Sequence, residues 1–190
     1  MLDILAAYKI HGTFFVNGTN ASQGKELYKR IVSEGHAIGN HTYSHDYERI
    51  YTSIESYLQD HRKLETLIYE ETGIRPKIIR FPGGSNNTVS HRYGGKDFMR
   101  KLIQRMEEEG YQYFDWNVTS KDASSACPSK DTIIEAVLKN VEEKENAIIL
   151  FHDSAAKTST VEALPIIIEA LKKKGYSFST LTEDSYYVHF

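Results

Sequence analysis

The sequence predicts an α/β protein in which helices cover a parallel sheet. Three observations lead there. Apolar runs of strand length alternate along the chain with segments of helical periodicity. The run Ala147-Ile-Ile-Leu-Phe151 has no polar alternation, as a strand buried on both faces requires. Short clusters of His, Arg and Asp stand where such runs end. A (β/α) barrel and a doubly wound sheet both satisfy this pattern.

In chain order, Leu2, Leu5 and Tyr8 have helical spacing, with Ile4 beside them, so residues 1–10 read as a helix. Asp3 and Lys9 lie inside that amphipathic pattern, which a signal peptide would not tolerate. Strands are predicted at 12–17, 37–39, 77–81, 112–118, 147–151 and 176–181. Ile54, Tyr57, Leu58, His61, Leu64, Leu67 and Ile68 form the apolar stripe of a long helix that Gly73 and Pro76 close. Ile133, Ile134, Val137, Leu138 and Val141 mark another helix, with Asp131 as its expected N-cap. Lysines 172–174 sit in the last turn of a third, before Gly175, where positive charge suits the helix dipole. The Gly-, Asn- and Ser-rich segment 83–95 reads as a long loop on the active side.

Residues 1–190 are expected to form one domain, large enough to bury a core without disulfides or structural metal. An apolar share of 40 %, a charged share of 26 % and a net charge of −3 describe an ordinary globular chain. Nucleic acid is excluded as a partner on this balance, because phosphate binding needs clustered Lys and Arg. No apolar run reaches the ~18 residues that span a bilayer. The single Cys127 excludes an internal disulfide and a Cys-rich metal site, and reads as a free thiol.

Four motifs carry the chemistry: His41-Thr-Tyr-Ser-His45, Arg80-Phe-Pro-Gly-Gly84, Asp115-Trp116 and Leu150-Phe-His-Asp153. Alone, each has a bland reading. His41 and His45 could be two surface histidines, Arg80 a surface cation before a tight turn, Trp116 a core residue and His152 a structural imidazole. Three intervening residues also place His41 and His45 close enough to share one metal ion. His11, His36, His61, His91 and His189 belong to no motif and are read as structural.

Together, the order and wording of the motifs resemble the NodB-homology polysaccharide deacetylases, carbohydrate esterase family 4, over nearly the whole chain. The resemblance implies a distorted (β/α) barrel of about seven strands, with its active site at the strand C-terminal ends. It implies metal-dependent removal of N-acetyl groups from an N-acetylglucosamine-type glycan, peptidoglycan or chitin-like, outside the cell or at the cell wall. The implied metal is zinc, with cobalt or nickel as alternatives, held by His41 and His45. By the same resemblance Arg80 holds the catalytic base, and the N–H of Gly83 receives the oxyanion. Asp115 pairs with Arg80 and the active-site His. Trp116 and Leu150 line the acetyl pocket, and His152 is the general acid.

One departure changes these expectations. The family's first motif, an Asp-Asp pair on the first strand, supplies the base and the third metal ligand, and no Asp-Asp pair occurs in this chain. A barrel lacking its first strand is therefore expected, with an open seam beside 12–17 and room for a small anion near Arg80. Metal binding should be weak or absent; Asp46 and Asp153 are the nearest substitute ligands. Three readings follow: a truncated deacetylase of impaired activity, a catalytically inactive glycan-binding pseudoenzyme, and an unrelated sugar- or phosphate-binding α/β domain.

Overall fold

The computed structural model describes residues 1–125 and 128–190, so Cys127 lies outside the described residues. The chain begins with α1 (Leu2–Tyr8), β1 (Thr13–Val16), α2 (Ser22–Ser33), β2 (Ala37–Asn40), α3 (Tyr47–Ile50), α4 (Ile54–Thr72) and β3 (Ile78–Ile79). It continues with α5 (Ser90–Gly94), α6 (Phe98–Glu108), β4 (Gln112–Tyr113), β5 (Val118–Thr119), α7 (Lys130–Asn140), β6 (Ile149–Leu150) and α8 (Thr158–Lys173). Two compact units result: residues 12–115 with 180–190, and residues 1–11 with 116–179.

The first unit holds four parallel strands in the order β1-β2-β3-β4. β1 and β2 pair from Thr13↔Ala37 to Val16↔Asn40; β3 joins at Asn40↔Ile79 and β4 at Ile78↔Gln112. The Phe15 ring packs so closely over Gly39 that a Cβ there would lie 2.5 Å from it, which accounts for a glycine inside β2. Ser53 caps α4 by accepting from the Ser56 N–H, and Gly73 ends it at φ 74°. The α4 residues Tyr57 and Leu58 join Ile79, Phe81, Phe98, Leu102, Met106 and Tyr113 in one buried cluster. Each such side chain contributes about 1.5–3 kcal/mol when fully buried. That cluster anchors the end of β3, from which Arg80 departs.

In the second unit β5 and β6 pair in parallel, Val118↔Ile149 and Thr119↔Leu150. Val118 packs with Ile133, Val137 and Val141 of the α7 region and with Ala163, Ile167 and Leu171 of α8. Pro165 stands inside α8, at a typical cost of about 3 kcal/mol, and the buried apolar face on either side of it keeps the helix intact. α1 docks on α8: the Tyr8 hydroxyl donates to Glu169 Oε1 at 2.7 Å, and Lys172 Nζ donates to the Tyr8 carbonyl at 3.1 Å.

Four expectations are corrected. Segment 112–118 is two strands, because Phe114 still donates to Ile79 O but the Asp115 N–H turns to the Val188 carbonyl of the C-terminal segment. Segment 176–181 forms no strand; Tyr176 and Phe178 pack on the second unit's apolar cluster, and the Leu181 N–H goes to Thr13 Oγ1. The N-cap of α7 is Ser129, whose hydroxyl accepts from the Thr132 N–H, and Asp131 lies in the first turn, still suited to the dipole. The segment 83–95 is not all loop, since it contains α5.

Candidate active site

His41 leaves the end of β2 and opens a tightly held turn. Its N–H donates to Val16 O at 3.0 Å. Asn17 Nδ2 donates to the carbonyls of His41 and Thr42, and Asn40 Oδ1 accepts from the Thr42 N–H. Thr42 and His45 adopt left-handed conformations, φ 68° and 52°, a strain of the kind that concentrates at functional sites. Asp60, buried on α4, accepts from the Ser44 N–H at 2.9 Å, and Thr42 Oγ1 accepts from that of His45. The two imidazoles lie 5.0 Å apart between centroids. His41 Nδ1 sits 2.6 Å from the Arg80 carbonyl, which can only accept. Nδ1 therefore carries the proton, and the ring's lone pair is on Nε2, the tautomer of a metal ligand.

The Arg80 guanidinium donates to the carbonyls of Phe114, at 2.9 Å, and Asp115, at 3.1 Å, and lies 4.4 Å over the Phe15 ring. Burial lowers its pKa to about 10, against the opposing charge of Asp115, so it remains a cation at neutral pH. Beyond it the chain turns sharply: Gly83 and Gly84 have φ of 80° and 87°, and the Gly84 N–H closes onto Phe81 O. The Tyr51 hydroxyl holds the Pro82 carbonyl at 2.6 Å. Gly83 is exposed, and its N–H makes no hydrogen bond among the described residues. The buried Asp115 carboxylate accepts from the Ser85 N–H, the Ser85 hydroxyl and the Phe190 N–H, so it anchors this turn.

In the other unit, Ile149 and Phe151 pack on the apolar cluster. Strand alternation within β6 puts Leu150 on the face opposite Ile149, and His152 follows two residues after the strand ends. Trp116 is half-buried just before β5. Asp122 follows β5, and its carboxylate accepts from His152 Nδ1 at 2.8 Å, from the His152 N–H at 2.7 Å and from Thr160 Oγ1 at 3.2 Å. The Asp122 side chain is 2 % exposed and that of His152 46 %. Burial pushes the Asp122 carboxyl up, but the hydrogen bonds and charge of His152 outweigh it and hold the group below its ordinary value. Asp122 thus stays an anion that fixes the ring through Nδ1.

Comparison with known proteins fits this geometry. A family model described as polysaccharide deacetylase matches residues 1–114. Peptidoglycan-N-acetylglucosamine deacetylase of Bacillus cereus is 32 % identical over 192 residues, covering 100 % of this chain and 82 % of that protein. The chain belongs to the polysaccharide deacetylase family. Another polysaccharide deacetylase, the putative YheN of Bacillus subtilis, is 30 % identical, and this chain spans 64 % of its length. The crystal structure of the catalytic domain of peptidoglycan N-acetylglucosamine deacetylase from Eubacterium rectale superimposes with a TM-score of 0.94 at 34 % identity, covering 100 % of this chain and 84 % of that one. The α/β fold is thus that of the NodB type, as expected.

One of the deacetylase site expectations changes. The carboxylate beside the active-site imidazole is Asp122, whereas the Asp115 carboxylate serves Ser85 and Phe190. What Asp115 gives Arg80 directly is its backbone carbonyl. Asp122 was missed because Ser120-Lys121-Asp122 reads as polar loop; its place just after a strand end was the available signal. For the metal, a catalytic zinc takes three protein ligands. His41 and His45 offer two nitrogens, and among the described residues no group of three His, Cys, Asp or Glu side chains could hold a metal. Asp46, one substitute considered, spends its carboxylate capping α3. Among the described residues these side chains do not complete a metal centre.

Proposed function

We propose that this chain is a de-N-acetylase of N-acetylglucosamine-type glycans, peptidoglycan above chitin-like polymers, working at the cell wall with reduced rate. The His152–Asp122 pair carries this reading. In it water attacks the amide carbonyl carbon and loses a proton to solvent, the C–N bond breaks to release acetate, and Nε2 of protonated His152 gives its proton to the departing amine, while Asp122 holds the ring and stabilises the imidazolium. The Gly83 N–H, without a partner among the described residues, receives the carbonyl oxygen as it becomes anionic. Trp116 and Leu150 wall the acetyl group, Arg80 supplies fixed positive charge, and Asp115 acts by keeping the Gly83 turn in shape. No carboxylate is assigned as general base, and a missing base costs about 10²–10⁴-fold in rate.

Acetate release from N-acetylglucosamine tetramer, at high protein concentration, tests this. The expected result is slow turnover that disappears in His152→Ala. Turnover indifferent to that substitution would overturn the mechanism, and tight glycan binding without turnover would leave the pseudoenzyme reading in its place. The imidazole pair is proposed as a weak two-nitrogen site for a divalent ion, zinc first, then cobalt or nickel. Calorimetric zinc titration should lose its signal in both His41→Ala and His45→Ala; binding that survives both removes the site.

A further inference from the structure

Beside the histidine turn stands a side chain to which the proposed reaction gives no part. Tyr47 is the first residue of α3, two positions after His45 and directly after the capping Asp46. Its ring meets the His45 imidazole edge-on at 5.4 Å and stacks on Tyr51 at 5.8 Å with planes 25° apart. Tyr51 is itself fixed, since its hydroxyl holds the Pro82 carbonyl. The Tyr47 ring is therefore clamped between a site imidazole and a rigid support. Its hydroxyl reaches the Gly83 turn, 3.3 Å from the point where a Cβ on Gly83 would lie. That hydroxyl makes no hydrogen bond among the described residues, although the side chain is half-buried.

An aromatic ring whose hydroxyl has no hydrogen-bond partner among the described residues, placed against the exposed Gly83 turn, matches a ligand that has both an apolar face and polar edges. Sugar rings have this character, with C–H faces that pack on aromatics and hydroxyl or amide edges that hydrogen-bond. We propose that Tyr47 is a substrate-binding residue that contacts the N-acetylated sugar through its hydroxyl, at the Gly83 turn. This rests on the de-N-acetylase reading for the identity of the sugar. The pre-clamped ring loses little rotamer freedom on binding, so the hydroxyl's hydrogen bond is realised with a small ordering cost.

The test is calorimetric titration of N-acetylglucosamine tetramer into the wild type, Tyr47→Phe and Tyr47→Leu, with thermal melting of each. Removing the hydroxyl alone should weaken binding about fivefold to tenfold with an unchanged melting temperature. Removing the ring should weaken it further. Equal affinity of wild type and Tyr47→Phe would overturn the proposal while leaving the deacetylase reading intact, and would mean that the hydroxyl is merely solvated. An affinity loss in Tyr47→Phe that tracks a lower melting temperature would also overturn it, assigning the residue to packing. A wild type that does not bind the tetramer would remove both readings together.

Discussion

The histidine sites of the two units differ in what holds their Nδ1 atoms. In the unit of residues 12–115 and 180–190, His41 is held by the Arg80 carbonyl; in the other, His152 is held by the Asp122 carboxylate. Both acceptors fix the same tautomer. Only the carboxylate adds a full negative charge, which stabilises the ring when Nε2 takes a proton. A carbonyl fixes orientation and leaves a neutral ring, which is what a metal ligand needs. The same residue type is thus held by a neutral acceptor in one place and by an anion in the other.

The comparison breaks most visibly at Asp122. Asp122→Asn keeps the shape but replaces an acceptor-only group with one that can donate, so the favoured tautomer is lost. Acetate release should fall about 10²–10⁴-fold, and the double variant with His152→Ala should be no slower than the worse single one. A rate that survives Asp122→Asn would mean that the carboxylate only supports the fold.

On the other side, the His41–His45 turn can be loosened without touching either imidazole. Asp60→Ala strips the Ser44 N–H of its buried acceptor, and should lower unfolding free energy by about 1–3 kcal/mol and zinc affinity about tenfold. Asp60→Asn retains a side-chain oxygen and should recover most of both. Chemical denaturation and zinc titration check the pair, and an Asn variant as poor as Ala would mean that the charge, not the acceptor, matters.

A third imidazole, His61, marks the ordinary end of the comparison. It is fully buried, stacked on Tyr57 and edge-on to Tyr111, and neither ring nitrogen has a hydrogen-bond partner among the described residues. Burial lowers its pKa to about 4, so between the ordinary value of 6.5 and that point the unfolded chain binds more protons than the folded one. Stability from this group is complete above pH 6.5 and is lost as pH falls towards 4. The loss at pH 5 is on the order of 2 kcal/mol. His61→Leu should flatten that dependence in urea melts run at pH 7.5 and pH 5; an unchanged slope would assign the acid sensitivity elsewhere.

How much of this was legible follows from the range of the interactions involved. The helix over Ile54–Thr72 declares itself through its apolar stripe and Gly73, both local signals. The break between β4 and β5 does not, because the aromatic run through Trp116 continues without interruption and the residue that captures the Asp115 N–H is Val188, far along the chain. At the site, His41, His45, Gly83 and His152 stand in readable motifs. Asp122 does not, since a carboxylate in a polar turn carries no periodicity; Lys121 just before it takes a left-handed φ of 58° that its side chain does not announce. Tyr47 was silent for a similar reason, its meaning arising only when α3 brings it against the turn at Gly83.

The docking of α1 on α8 has a consequence for how the chain is made. Tyr8 and Glu169 are 161 positions apart, and seven residues are too few to hold a helix alone in water. Synthesis at about 5–20 residues per second puts roughly 8–30 s between the two ends of that contact. Through that interval Leu2 and Leu5 have no α8 to cover them, and the polypeptide leaving the ribosome carries a short greasy segment that a chaperone could hold. The second unit can close only after its far half has been translated, whereas the Thr13–Val16 and Ala37–Asn40 strands are made within about 1–5 s of each other and can pair at once.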